Sequence, residues 1–144
     1  MNIEKLKEEI KKEEGYRNKV YKDHLGVATI GYGLLIKSNE IFDAKKTYSN
    51  KELDKLFEYD FNIAHADALL IVSDMKLKDE AIEIVIHMCF QLGRPRVMKF
   101  KKMIEALRNK DYVSAGFEME DSLWCRQTPQ RAYRLAEKMK KLSE

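Results

Sequence analysis

The chain has 144 residues, a length that can form one ordinary hydrophobic core but not two independent domains of typical size. Its 44% hydrophobic and 35% charged residues are ordinary for a globular protein, and the formal net charge of +3 favours approach to an anionic surface such as a bacterial wall or nucleic acid. Two cysteines are too few for a disulfide scaffold, and no apolar run approaches the roughly 18 residues that a membrane span needs.

The first predicted element is a helix over residues 3 to 14 that ends at a glycine. Ile3, Leu6 and Ile10 recur at helical spacing among lysines and glutamates, and Gly15 is a typical stop signal. Glu14 then lies in the last turn, where the negative end of the helix dipole disfavours the ionised form of an acid. Most glutamates at helix ends are only solvated surface groups, so this position alone does not indicate catalysis.

A β-hairpin is predicted after the glycine, in segments rich in Val, Tyr, Thr and Ile. Residues 23–26 have the composition of a turn, and residues 27–32 form the returning strand. Asp23 therefore lies at the end of the first strand and Thr29 in the second. From there to about Tyr48 we predict irregular structure with at most one short helical turn.

The remainder of the chain is predicted to be helical. Ser49 to Glu52 form a capping box that opens a long helix reaching at least Ile71. Nearly every position from Asp79 to Leu92 is apolar, which predicts a helix buried on all sides. Further helices are predicted at about Met98 to Asn109, Tyr112 to Asp121 and Pro129 to Leu142, the last with Thr128 as its cap.

The stretch from Glu14 to Gly33 contains the pattern E-G-x-R-x-x-x-Y-x-D-x-x-G-x-x-T-I-G-x-G. Two carboxylates that face each other are what acid and base cleavage of a glycosidic bond requires. The spacing of Glu14, Asp23 and Thr29 is a weak signal alone, because these residue types are common. The complete pattern is much more specific.

This pattern resembles the phage-type lysozymes, a family of muramidases. Residues 90–93, Phe-Gln-Leu-Gly, resemble the family element F-Q-M-G, and Trp124 with residues 127–132 resembles W-x-x-Q-T-P-N-R-A. The resemblance implies a mostly helical α+β lysozyme fold, with a small β-hairpin lobe and a larger helical lobe around a cleft. In this single domain, 14–48 would be the small lobe, 49–72 the connecting helix, and 1–13 with 73–144 the helical lobe.

The resemblance implies hydrolysis of the β-1,4 bond between N-acetylmuramic acid and N-acetylglucosamine in peptidoglycan, with inversion. Glu14 would be the general acid, Asp23 would activate water, and Thr29 would hold that water, since a hydroxyl both donates and accepts hydrogen bonds. Arg131 is expected to approach Glu14 and orient it. An arginine that close would also tend to lower the acid's pKa, so burial and the helix dipole would have to oppose it.

Four residues are carried over from the family as substrate-binding residues: Leu35, Phe90, Gln91 and Trp124. The indole N–H of Trp124, if buried, is expected to donate to the side chain of Gln91. Ordinary core packing is an equally good explanation for Phe90 and Trp124.

Several residues depart from the family pattern. Leu34 replaces a histidine, and Met103 and Glu118 replace small polar groups that contact substrate in the T-even phage member. Leu25 and Leu123 replace an opposite-charge pair, and we expect these two leucines to meet across the mouth of the cleft. The departures bear on substrate preference more than on reaction type.

Three other functions compete with hydrolysis. A lytic transglycosylase would cleave the same bond with the acid alone, so the presence of Asp23 and Thr29 favours hydrolysis. A wall-binding module without catalysis would not need the three residues of the pattern. A nucleic-acid binder has only the net charge in its favour, although the basic C-terminal helix could also contact an anionic polymer or lipid headgroups.

The resemblance further implies a phage endolysin that lyses the host. Residues 1–5 begin a charged helix rather than a signal peptide, so we expect synthesis in the host cytoplasm and release through a holin. We expect a monomer with no cofactor, no stable membrane insertion and no nucleic-acid partner. No metal is expected, because Glu83 and His87 lie one helical turn apart without a third ligand nearby, and Cys89 is predicted to be a buried free thiol.

Overall fold

Helices account for most of the described residues, as the sequence predicted. In the computed structural model, the described residues are 1–14, 17–22, 28–31, 34–35 and 49–143. The helices are α1 (Ile3–Glu14), α2 (Asn50–Val72), α3 (Asp79–Leu92), α4 (Arg94–Val97), α5 (Lys101–Arg108), α6 (Tyr112–Glu120), α7 (Leu123–Gln127) and α8 (Pro129–Lys141). None of the helices in these ranges is long and apolar enough to cross a membrane.

Three short strands lie between α1 and α2: β1 (Arg17–Lys22), β2 (Ala28–Gly31) and β3 (Leu34–Leu35). They form a sheet in the order β1-β2-β3, with both neighbouring pairs antiparallel. The register of β1 against β2 shifts between Arg17 and Tyr21, so the pairing is irregular there. These strands occupy the region where the hairpin was predicted, and the small lobe built around them stays a prediction.

The chain divides into two compact units, here named the first unit (residues 2–63) and the second unit (residues 64–144 with Met1). In the first unit, α1 packs on the first half of α2. The core residues contributed by the two helices are all at most 1% exposed: Leu6, Ile10, Leu53, Phe57 and Phe61. The apolar stripe predicted for α1 is therefore its buried face.

Two lysines of α1 extend this packing with their charged ends. Lys7 Nζ lies 2.7 Å from a carboxylate oxygen of Glu58 and 5.2 Å from the centroid of the Phe61 ring. Lys11 Nζ lies 5.0 Å from the centroid of the Phe57 ring. Each lysine thus covers an aromatic ring with its ammonium group, a favourable contact of about 0.5–1 kcal/mol at partly exposed sites.

In the second unit, α3 is the buried helix that the sequence predicted. Eight of its residues are buried, and the apolar ones among them are Ala81, Ile84, Val85, Ile86, Met88, Cys89 and Leu92. Both cysteines of the chain are buried free thiols, as predicted for Cys89. Burial raises the pKa of the Cys89 thiol to about 12 and also raises that of Cys125.

Helices α6 and α8 approach each other closely at Gly116. A Cβ atom at Gly116 would lie 2.8 Å from the carbonyl oxygen of Ala136 and 2.5 Å from Cγ of Lys140. The Lys140 side chain then continues over Phe117, with Nζ 4.0 Å from the ring centroid and 2.5 Å from a carboxylate oxygen of Glu120. Glycine is the only residue that fits this contact without displacing backbone.

Side-chain capping is present at one of the two helix starts where it was predicted. The N–H of Glu52 donates to the Ser49 hydroxyl at 3.1 Å, which confirms the capping box at the start of α2. The prediction that Thr128 caps α8 was wrong. Its hydroxyl instead donates to the carbonyl of Trp124 at 2.9 Å, which satisfies the C-terminal end of α7, while Pro129 begins α8 as predicted.

The helix predicted at about Met98 to Asn109 is also shorter than expected. The N–H groups of Lys99 and Phe100 donate to carbonyls three residues earlier, at 3.1 and 3.0 Å, so the chain turns there. This turn separates the four-residue α4 from α5, which begins only at Lys101. The turn brings several lysines and arginines onto one side of the second unit.

Candidate active site

Glu14 is the last residue of α1, in the turn where the sequence placed it. It is neither fully buried nor fully exposed. The last carbonyl groups of a helix carry the partial negative charge of the helix dipole. This charge disfavours an ionised carboxylate at the position of Glu14. Such a position suits a carboxyl group that has to hold a proton.

The strand register makes two further candidate residues, Thr29 and Leu35, neighbours in the sheet. Thr29 in β2 pairs with Tyr21 of β1 on one side and with Leu35 of β3 on the other, so the backbones of Thr29 and Leu35 are neighbours. Asp23 directly follows Lys22, the last residue of β1, and lies outside the described residues. Leu25, the expected partner of Leu123, lies outside them as well.

Gln91 and Trp124 form the hydrogen bond that the sequence predicted. The indole N–H of Trp124 donates to the side-chain oxygen of Gln91 at 2.9 Å. Trp124 is only 3% exposed, and Phe100 packs edge-on against it with ring centroids 6.1 Å apart. This burial makes Trp124 a core residue that holds Gln91 in place, whereas Phe90 is only half-buried.

One turn before Gln91, α3 carries the buried histidine His87. It is 8% exposed, and burial together with the positive charges of Arg131 and Lys138 lowers its pKa to about 3. His87 is therefore neutral at ordinary pH. The sequence analysis considered His87 only together with Glu83, as two possible metal ligands without a third. Among the described residues, no group of three or more His, Cys, Asp or Glu could hold a metal ion.

Arg131 lies at the start of α8 and is half-buried. Its positive charge is one of the two that lower the pKa of the buried His87. The expected approach of Arg131 to Glu14 stays a prediction.

A pocket of about 530 Å³ opens on the second unit and collects most of the residues that depart from the family pattern. Its apolar lining is Leu92, Phe100, Met103, Leu123 and Trp124, and its polar lining is Arg96, Lys99, Lys101, Lys102, Glu118, Asp121 and Ser122. Sequence reasoning singled out four of these, Met103, Glu118, Leu123 and Trp124. It missed the four basic residues, whose only signal was a run of positive charge between residues 94 and 102.

The comparison with known proteins gives matches over nearly the whole chain. A sequence model of the phage lysozyme family matches residues 11–141. The probable T4-type lysozyme 2 of Dictyostelium discoideum is 31% identical over 156 aligned positions, which cover 92% of each protein. The match with the probable T4-type lysozyme 1 of the same organism has the same coverage and 28% identity.

Two phage proteins are similar over a part of their own length. The pre-baseplate central spike protein Gp5 of Enterobacteria phage T4 is 31% identical over 90% of this chain and 26% of the phage protein. The peptidoglycan hydrolase gp36 of Pseudomonas phage phiKMV is 27% identical over 92% of this chain and 15% of its own length. With the family pattern matched from residue 11 to residue 141, this chain belongs to the phage lysozyme family.

Proposed function

We propose that this protein is a glycoside hydrolase that cleaves the β-1,4 bond between N-acetylmuramic acid and N-acetylglucosamine in bacterial peptidoglycan. The family match over residues 11–141 carries the proposal, because it includes the whole pattern with Glu14, Asp23 and Thr29 intact. The names of two relatives, a T4-type lysozyme and a peptidoglycan hydrolase, support this substrate.

In the proposed mechanism, Glu14 donates its proton to the oxygen of the leaving sugar as the glycosidic bond breaks. Asp23 accepts a proton from a water molecule, and that water attacks the anomeric carbon from the opposite face. The hydroxyl of Thr29 holds this water by a hydrogen bond, since a hydroxyl can act as a donor or as an acceptor. Inversion requires room for water between the two carboxyls, and about 6.5–9.5 Å is typical of inverting enzymes.

The two acids need different pKa values, and their positions support this division of roles. Glu14 ends α1, where the helix dipole favours its protonated form. Asp23 follows the last residue of β1 and begins a segment with the composition of a turn, whose backbone N–H groups would favour an ionised carboxylate. Arg131 would orient Glu14, and Leu35 and Phe90 would contact the substrate.

The test compares wild type with Glu14→Gln on isolated peptidoglycan, by turbidity and by mass spectrometry of the released fragments. Loss of a general acid is expected to reduce the rate by about 10²–10⁴-fold. The matched control is Glu13→Gln, one residue earlier in the same turn, which should retain most of the activity. Wild type should release fragments with reducing ends.

Two other results would assign a different function. Fragments with anhydro ends from wild type would identify a lytic transglycosylase. Retention on peptidoglycan without release of fragments would identify a wall-binding module.

The setting that we propose is host lysis by a phage endolysin, made in the host cytoplasm as a monomer and released by a holin. The two phage relatives support a phage origin. Expression in a bacterium with and without a holin gene tests this setting, since lysis should require both proteins. Lysis without the holin would contradict it.

A further inference from the structure

The charges of the first unit are balanced, and some of them join its two helices. Residues 1–63 contain 12 basic and 12 acidic residues, so the whole excess of +3 lies in residues 64–144, with 15 basic and 12 acidic residues. Of the four lysines of α1, two are exposed and two, Lys7 and Lys11, are only partly exposed. Both partly exposed lysines contact residues of α2 with their ammonium groups.

Lys7 makes the first of two matching contacts between α1 and α2. Its Nζ lies 2.7 Å from a carboxylate oxygen of Glu58 and 5.2 Å from the centroid of the Phe61 ring. The Lys7 side chain is only 12% exposed, although lysines usually keep their charged end in water. We name Lys7 and Glu58 the first pair.

Lys11 repeats this arrangement one helical turn later. Its Nζ lies 3.7 Å from Oδ1 of Asp54 and 5.0 Å from the centroid of the Phe57 ring. Lys11 comes four residues after Lys7 on α1, and Asp54 comes four residues before Glu58 on α2, so the same set of contacts recurs at helical spacing. We name Lys11 and Asp54 the second pair.

The second pair depends on charge more than on hydrogen bonding. The Asp54 side chain is half-exposed, but its Oδ1 is buried and makes no hydrogen bond within the part of the chain that the structure describes. A buried carboxylate oxygen is costly unless a donor or a positive charge compensates it. The Lys11 ammonium supplies such a charge, so the second pair holds this part of α1 against α2.

Glu14 is the residue of α1 that this contact affects most directly. It lies three residues after Lys11 and four after the buried Ile10, and residues three and four apart are neighbours on a helix surface. At 1.5 Å per residue, Lys11 is about 4.5 Å from Glu14 along the helix axis, whereas Lys7 is about 10.5 Å away. The second pair is therefore the contact with α2 nearer to the end of α1.

We propose that Lys11 is a positioning residue for Glu14, and that it acts through its pair with Asp54. The inference rests on the proposed function, in which Glu14 gives its proton to the leaving sugar. A catalytic group must be held within about 0.5 Å of its productive geometry. Glu14 is the last residue of its helix, and helix ends fray, so a contact one turn earlier determines how firmly its carboxyl is held.

A direct effect of the Lys11 charge on Glu14 is a different role, and it makes a different prediction. A cation one turn away favours the ionised form of an acid, the opposite of what a proton donor needs. If Lys11 acted in this way, removing Lys11 and removing its counter-ion Asp54 would have opposite effects on the reaction. In the positioning role both changes break the same contact, so their effects have the same direction.

The test measures kcat and KM of Lys11→Met, Asp54→Asn and the double variant on soluble peptidoglycan fragments. Methionine removes the charge but keeps an unbranched apolar side chain beside Phe57. Each single variant is expected to lower kcat about tenfold, less than the 10²-fold that a displacement of about 1 Å can cost, with little change in KM. The double variant should be no slower than either single variant, because the contact is already lost.

The matched controls break the first pair. Lys7→Met and Glu58→Gln remove a contact of the same chemistry and shorter distance, so they should lower stability to a similar extent while kcat stays near that of wild type. Lys11→Arg should recover most of the wild-type kcat, because a guanidinium keeps the charge beside Asp54 and stacks on an aromatic ring. Urea unfolding of every variant checks that the enzyme is folded under the assay conditions.

Three results would overturn the proposal. One is an equal loss of kcat when either pair is broken, which would show only a general effect of stability. Another is opposite effects of Lys11→Met and Asp54→Asn, and the third is a double variant whose loss is the product of the two single losses. Failure of the proposed hydrolysis would appear separately, as absence of reducing ends from wild type on peptidoglycan.

Discussion

His87 shows at the scale of one residue how burial changes the behaviour of a titratable group. The imidazole is buried in α3, and the cations Arg131 and Lys138 add to the cost of charging it. Its pKa in the folded protein is about 3, whereas an unfolded chain binds a proton at a pKa near 6.5. Below that pH the unfolded state therefore holds more protons than the folded state, and folding stability falls as pH decreases.

This difference predicts a pH-dependent stability that one substitution removes. Between pH 6 and pH 4, His87 should lower the free energy of unfolding by up to about 1.4 kcal/mol per pH unit. His87→Gln should flatten this part of the curve, measured by urea unfolding at several pH values. His65→Gln is the matched control, since His65 lies on α2 and is less buried. An unchanged slope in His87→Gln would contradict the prediction.

At the scale of the secondary-structure element, the sequence pattern predicted the long helices. It did not predict the short helices or the turn between α4 and α5, which depend on only a few residues. The apolar run predicted the extent of α3, and the capping box predicted the start of α2. Both signals are local properties of the sequence. The short helices α4 and α7 went unpredicted, because four or five residues contain too few turns to show a period. The break at Lys99 and Phe100 likewise has no composition signal.

The same limit applies to the candidate site. The bond between Trp124 and Gln91 was predictable, because a buried indole N–H needs an acceptor. The pocket on the second unit was not, because residues from five separate elements and their connections meet there only after folding. The catalytic roles proposed for Glu14, Asp23 and Thr29 rest on the pattern that these residues share with the family.

The close contact of α6 with α8 gives a prediction about packing. Gly116→Ala should lower the free energy of unfolding by about 1–3 kcal/mol, the usual cost of overpacking, because the new methyl group meets the backbone carbonyl of Ala136. Urea unfolding measures the change. Ser114→Ala, on the exposed face of the same helix, should be neutral or slightly stabilising. Equal stability of the two variants would contradict the predicted contact.

At the scale of the whole molecule, the concentration of positive charge in residues 64–144 predicts salt-dependent association with the wall. The Debye length falls from about 10 Å at 0.1 M salt to about 3 Å at 1 M, so exposed basic residues lose most of their reach. Retention on isolated peptidoglycan, measured by sedimentation, should decrease several-fold over this range. Retention that does not change with salt would show that contacts other than charge dominate.

The two buried thiols, finally, make the protein convenient for spectroscopy. Reagents such as maleimides attack the thiolate, and burial keeps Cys89 and Cys125 almost entirely in the thiol form. A cysteine introduced on the surface, for example by Lys99→Cys at the pocket on the second unit, would therefore take a fluorescent label selectively. The wild-type cysteines need not be removed first, so the label can report directly on the otherwise unmodified protein.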